Sequence, residues 1–351
     1  MTERIIIDCD PGVDDAAAIL LAFGSSEVEI LGITTVAGNI PLEKTEANAR
    51  LICELANRTD IPVFQGCGRR LLYPERAGVT VHGDDGLGDI GLPKPASAPA
   101  PRTAVQFIID QVRAAPGEVT VAVLGPMTNI AVALSIDPGI APLIRRIVFM
   151  GGAAFCPGNI KERAEFNFYF DPHAAQAVVA SGIPMVMFGL DVTHKAIITQ
   201  ERTERLRSLG RIGSTIADML NAYGAGDPCL HDPCVIAYLV EPGIFCGVQG
   251  VVEVDCVSPL AIGQSVVSVT KRELAGRAPN CLVMTDVDAD RLFALLEERY
   301  SHVELERCLI PDFDGAILSS EWRDALWARF TTGAPQRQRR SVERYNIVKR
   351  V

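Results

Sequence analysis

The sequence contains no CxxC pair: its ten cysteines are scattered along 351 residues. That excludes the usual zinc-ribbon spacing and argues against a compact disulfide framework, leaving buried thiols in a reducing compartment. Long apolar runs are also missing. The strongest near the start, Ala16 to Phe23, is far too short to span a bilayer. Met1-Thr2-Glu3-Arg4, then Ile5-Ile6-Ile7 and aspartates, offers no signal-peptide core. Positive charge is in deficit, with 33 Lys and Arg against 43 Asp and Glu, a net of −10. Such a chain carries no footprint for nucleic acid or for an anionic membrane. The expectation is a cytoplasmic protein with neither as partner. No internal repeat is visible. A content of 48% apolar and 22% charged residues further excludes disorder, collagen and coiled coil.

What is there is an alternation. Apolar runs of strand length (5–8, 29–36, 119–124, 147–150, 184–190) are separated by segments with helical spacing, such as 13–23 and 42–56. This is the pattern of βα units around a mainly parallel sheet. Asp171-Pro172 and Asp232-Pro233 each read as a helix start, with Asp as N-cap and Pro at the first helical position. Pro93–Pro101 reads as an exposed connector. The fold class expected is α/β, one large domain with a mixed, mainly parallel central sheet flanked by helices.

Chemistry concentrates after the first strand, where Asp8, Asp10, Asp14 and Asp15 fall within eight residues. In open α/β sheets this carboxyl end of the strands is where ligands bind. Asp14 and Asp15 alone also suit a helix start, where acidic side chains meet free N–H groups. Four carboxylates together are another matter. Two charges about 5 Å apart at an effective dielectric near 20 repel by roughly 3 kcal/mol, so the cluster needs a cation or protons. With oxygen donors only, that cation is hard, Ca²⁺ or Mg²⁺ rather than Zn²⁺.

The stretch Ile6-Ile7-Asp8-Cys9-Asp10-Pro11-Gly12-Val13-Asp14-Asp15-Ala16 resembles the fingerprint of the nucleoside hydrolases, ribonucleoside N-glycosidases of the inosine–uridine type. The resemblance continues in order through Ile33–Asn39, Val81-His82-Gly83, Leu124–Ala131, Met150-Gly151-Gly152, Gly158-Asn159, Ala164–Asn167, Asp171-Pro172, Asp191–His194 and His231-Asp232-Pro233. It covers residues 1 to roughly 300. It implies a Rossmann-like nucleoside hydrolase fold over 1–309 and a C-terminal extension over 310–351.

The same resemblance implies Ca²⁺-dependent cleavage of the bond between ribose C1′ and a base nitrogen, in purine and pyrimidine salvage. Asp10, Asp15, Asp232 and the backbone carbonyl of Leu124 would hold the ion. A water on that ion would attack an oxocarbenium-like sugar, with Asp10 taking its proton. Asp14, Asn39, Asn159, Glu165 and Asn167 would bind the ribose hydroxyls, with Met150 at the site. His82, Phe166 and Tyr223 would border the base or sugar, and His231 is the candidate acid for the departing base. Asp8 reads as a group behind the ligands, His194 as structural, and His173 and His302 as solvated. The assembly implied is a homodimer or homotetramer.

Two segments depart from the family pattern: Ala153–Pro157, and the short Gly-rich connection Gly224–Leu230, read as mobile and ordering on ligand binding. Beyond Leu309 the resemblance ends. From Ala334 six basic residues face only Glu343, a net of +5 that leaves −15 for the rest, and this tail is a candidate to dock on a neighbouring subunit's acidic body. Two other functions compete. Asp8-Cys9-Asp10 superficially matches the start of a DxD-type phosphatase, although Pro11-Gly12 follows where that chemistry has a different pattern. The other is a non-catalytic nucleoside- or Ca²⁺-binding protein.

Overall fold

Seven strands lie parallel, and the central ones are apolar runs buried on both faces. The computed structural model describes residues 2–72 and 81–309. Its strands are β1 (Glu3–Cys9), β2 (Val28–Thr35), β3 (Val63–Gln65), β4 (Val119–Val123), β5 (Arg146–Met150), β6 (Met185–Phe188), β7 (Phe245–Val254), β8 (Ser265–Ser268) and β9 (Cys281–Val287). They form one sheet in the order β3-β2-β1-β4-β5-β6-β9-β7-β8. From β3 to β9 the pairing is parallel, whereas β7 and β8 run antiparallel at one edge. The fold is the mixed, mainly parallel α/β domain read from the sequence.

Alternation sends successive side chains into two cores. Ile5, Ile7 and Cys9 of β1 join the core on one face, and Ile6 with Val119, Val121 and Val123 joins the other. The first helix, Val13–Phe23, is buried along its whole length. The helix Ala289–Leu309 packs there, with the Tyr300 hydroxyl donating to the Ala17 carbonyl at 2.8 Å. His302, expected to be solvated, is half-buried and bonds the Gly24 carbonyl at 3.2 Å, satisfying the end of the first helix.

The order β3-β2-β1-β4-β5-β6 reverses direction between β1 and β4, so a crevice opens beyond their carboxyl ends. Among the described residues no helix is long and apolar enough to cross a membrane. The chain divides into two compact units, 1–304 and 305–351. The expected boundary at 309 lies at the edge of the described residues, and the basic tail lies outside them.

Candidate active site

Asp10 leaves β1 into the crevice, and the chain then turns through Pro11-Gly12 into the first helix. Asp15, in that first helical turn, accepts from the Gly12 N–H at 2.9 Å and the Asp10 N–H at 3.2 Å, which ties the turn closed. Asp10 Oδ2 accepts the Asn39 N–H at 2.7 Å. Its carboxylate lies between Gly38 and Gly125, where any Cβ would overlap it, so both positions demand glycine. Asp8 lies behind, fully buried, with Oδ1 bonded to Thr34 and Asn129, and burial pushes it up to about 7.

Asp232 joins from the start of the helix Pro233–Val240 without capping that helix by its side chain. One oxygen each from Asp14, Asp15 and Asp232 lie within 4.8 Å of one another, all three residues buried. Asp14 Oδ1 has no hydrogen-bond partner among the described residues. Burial first, and then the neighbouring carboxylates, hold Asp10 and Asp232 well above the usual carboxylate range and Asp15 at about 6. Asp14 is raised by burial too, although His231 partly opposes it. An all-oxygen set of crowded, buried carboxylates with an orphaned oxygen fits a hard divalent cation.

A cavity of about 290 Å³ opens above this cluster, a volume suited to a small molecule rather than a polymer. Every site residue read from the sequence lines it except Asp15, which lies beneath the floor. Asn167 Nδ2 donates to the Leu124 carbonyl at 2.7 Å. Glu165 spends both oxygens on backbone donors, those of Gly152, Asn167 and Phe168, which shape the wall around it. Asn159 stands at the exposed rim and accepts the Phe166 N–H at 3.0 Å.

At the other end, His82 stacks on Tyr223 with ring centroids 5.0 Å apart and accepts the Val13 N–H at Nδ1. Burial drives its pKa down to about 4, so the ring is neutral and its acceptor role is fixed. His231 is clamped on both nitrogens: Nδ1 lies 2.8 Å from Thr193 Oγ1, and Nε2 lies 3.1 Å from Asp227 Oδ2. Burial alone would lower His231, but the hydrogen bond and charge of Asp227, aided by Asp14 and Glu165, raise it.

Sequence reasoning passed over Val81, Ile160, Gly226 and Asp227, which also line the cavity. Asp227 had a signal, an Asp four residues before His231. The connection read as mobile is pinned: Ile198 N–H donates to the Pro228 carbonyl at 2.8 Å and Leu230 N–H to the Ala196 carbonyl at 2.9 Å. The departing segment Ala153–Pro157 is held by Asp191, which accepts the N–H groups of Ala154 and Phe155.

The chain is similar to known proteins over most of its length. A family model described as inosine-uridine preferring nucleoside hydrolase matches residues 5–294. The pyrimidine-specific ribonucleoside hydrolase RihA of Escherichia coli (strain ATCC 8739) is 44% identical over 309 residues, 85% of this chain and 98% of that protein. An uncharacterized Schizosaccharomyces pombe protein is 41% identical over 307 residues, covering 84% and 98%. Among solved structures, a purine-preferring ribonucleoside hydrolase from Gardnerella vaginalis superposes with a TM-score of 0.80 at 33% identity, covering 86% of this chain and 99% of that one. A plant nucleoside hydrolase gives 0.82 at 31% identity, with the same coverage.

Proposed function

Since the chain belongs to the inosine-uridine preferring nucleoside hydrolases, hydrolases acting on N-glycosyl compounds, we propose that it cleaves pyrimidine ribonucleosides in preference to purine ones, with Ca²⁺ in its acidic cluster. The observation that carries the reading is that Asp10, Asp14, Asp232 and His231 line one cavity, with Asp15 grouped with Asp14 and Asp232 at its base. The pyrimidine preference rests on RihA, the more similar of the relatives with a stated base.

Asp10, Asp15, Asp232 and the Leu124 carbonyl would hold the ion, and Asp14, whose oxygen lies in the same cluster, would share its field while taking a ribose hydroxyl. When bound, Ca²⁺ would neutralise the carboxylates and make a nearby water easier to deprotonate. Asp10 takes the proton of the attacking water. Asn39, Asn159, Glu165 and Asn167 orient the ribose, with Met150 against the sugar. A polar clamp of this kind rejects a sugar that lacks a hydroxyl, because its own groups are then left unpaired. His82, Phe166 and Tyr223 flank the base. His231 gives the base nitrogen a proton as the C1′–N bond breaks, so that a neutral base departs. Cytoplasmic location, in keeping with nine unpaired cysteines among the described residues, and a homodimer or homotetramer complete the reading.

The test is a panel of purine and pyrimidine ribonucleosides assayed for free ribose in calcium-containing buffer. Uridine and cytidine are expected to be turned over faster than inosine. Binding without turnover would replace this reading with a non-catalytic one, and phosphate release from a sugar phosphate would replace it with a phosphatase.

A further inference from the structure

The connection from Gly224 to Leu230 departs from the family pattern, yet it supplies a side chain to the cavity wall. Asp227 stands before Pro228, whose ring fixes the backbone there. Its Oδ1 turns back to accept the Cys229 N–H at 3.2 Å, an Asx turn that leaves Oδ2 pointing away from its own loop. That second oxygen meets His231 Nε2 at 3.1 Å. On the opposite side of the ring the fully buried Thr193 holds Nδ1. Asp227 and His231 both line the cavity, so their hydrogen bond borders the space a substrate would fill.

An imidazole gripped at both nitrogens by separate segments cannot rotate about its side-chain bonds. We infer that Asp227 is a positioning residue for the cleavage step: by accepting the Nε2–H it keeps that edge of the His231 ring at the cavity wall, and when a nucleoside binds, the leaving base replaces the carboxylate as the acceptor of that hydrogen. The inference rests on the ribonucleoside hydrolase reading of this site. In the step itself the C1′–N bond breaks, its electron pair stays on the base nitrogen, and that nitrogen takes the Nε2 proton. The oxygen of the attacking water forms the new bond to C1′. Asp227 forms and breaks no covalent bond in the step; its contact is with Nε2 of His231, the proton donor.

A positioning role of this kind matters only when the leaving group needs a proton. A nucleoside does; p-nitrophenyl β-D-ribofuranoside, whose phenolate departs unaided, does not. The experiment measures kcat and KM for both substrates with the full-length enzyme in calcium-containing buffer, comparing wild type with Asp227→Ala and Asp227→Asn. General acid catalysis contributes about 10²–10⁴-fold, so Asp227→Ala is expected to lower kcat on uridine by about 100-fold. The drop on the nitrophenyl riboside should be at least tenfold smaller. Asp227→Asn keeps an oxygen that accepts from Nε2–H and is expected to recover about tenfold of the loss, with KM moving less than kcat. Riboside turnover also reports that each variant is folded, and Asp227→Asn carries the test should the alanine variant fail to fold.

Equal losses on the two substrates, or no loss on uridine, would overturn the inference, because a merely structural loop residue makes no distinction between leaving groups. A wild-type enzyme that cleaves neither compound breaks the hydrolase reading itself, and is recognised by the absence of any activity to compare.

Discussion

Two helices begin with the same dipeptide and use it for opposite ends. Asp171-Pro172 opens the helix Pro172–Val179, and Asp232-Pro233 opens Pro233–Val240. Asp171 has φ −135° and ψ 79°, the non-helical backbone of an N-cap. Its carboxylate takes the Ala174 N–H, the Leu71 N–H and the Thr128 hydroxyl at 2.9–3.1 Å. Asp232 has φ −62° and ψ −36°, already helical, and makes no side-chain cap. With the cap geometry lost, its carboxylate points into the acidic cluster, where burial and the charges of Asp14, Asp15 and Asp10 push its pKa well up. One aspartate ties the fold together; the other turns its carboxylate to the acidic cluster and is available for chemistry.

The largest effects should separate the two on activity. Asp232→Ala and Asp10→Ala each remove a carboxylate from the cation cluster, and the second also removes the base. Turnover of uridine should fall by about 10³–10⁴-fold in both. Asp171→Ala should keep kcat within about twofold per folded molecule, since its three partners lie away from the cavity. Near-normal turnover in Asp10→Ala or Asp232→Ala would erase the difference between the dipeptides.

Stability should separate them the other way. Asp171→Ala loses an N-cap worth about 1 kcal/mol and leaves the Leu71 N–H and the Thr128 hydroxyl without their partner. Together these cost about 3 kcal/mol, read as a shift in the denaturation midpoint. A loss of activity without that shift would mean that Asp171 belongs to the site after all.

The contrast also marks how far the sequence could be read. The carboxylates of residues 8–15 were legible because their density is unexplained by capping, and the parallel strands were legible because both faces are apolar. Asp232 was not legible alone, because the helix it opens is set by packing against the first helix and against β4 and β5, which the dipeptide does not carry. A mixed sheet was expected, but the strands of its antiparallel edge were not placed: β7 is exposed from Cys246 to Gln249 and lacks a clean alternation, and its partner β9 lies farther along the chain. His302 looked like a surface histidine because the carbonyl it meets, on Gly24, is 278 residues away. Asp227 sat in a connection read as mobile, and only the fold brings its second oxygen to His231.

The smallest effect concerns the cluster's own charge, and its sign can be worked out for the chelated protein. A carboxyl whose pKa is raised on folding binds protons in the native state that the unfolded chain has released. Stability therefore falls as pH rises from about 4, the unfolded value, through the raised folded values. Asp15 reaches about 6 and Asp8 about 7, and Asp10 and Asp232 are raised as well, so the slope should run through neutrality. Glu3 has the opposite sign: burial would raise it, but Arg146 and Thr120 hold it low, so its contribution is lost only in acid, below this window. With EGTA present, the melting temperature should drop between about pH 5 and pH 7; excess Ca²⁺ at neutral pH should raise it by several degrees, as expected for a ligand at about 100 times its Kd. Asp232→Asn should raise the melting temperature of the chelated protein at pH 7 and blunt the calcium response, whereas Asp171→Asn should lower it at both pH values. A chelated wild type with no pH slope and no response to calcium would mean that the two aspartates differ in their hydrogen bonds alone, and that the cluster carries its charge without help.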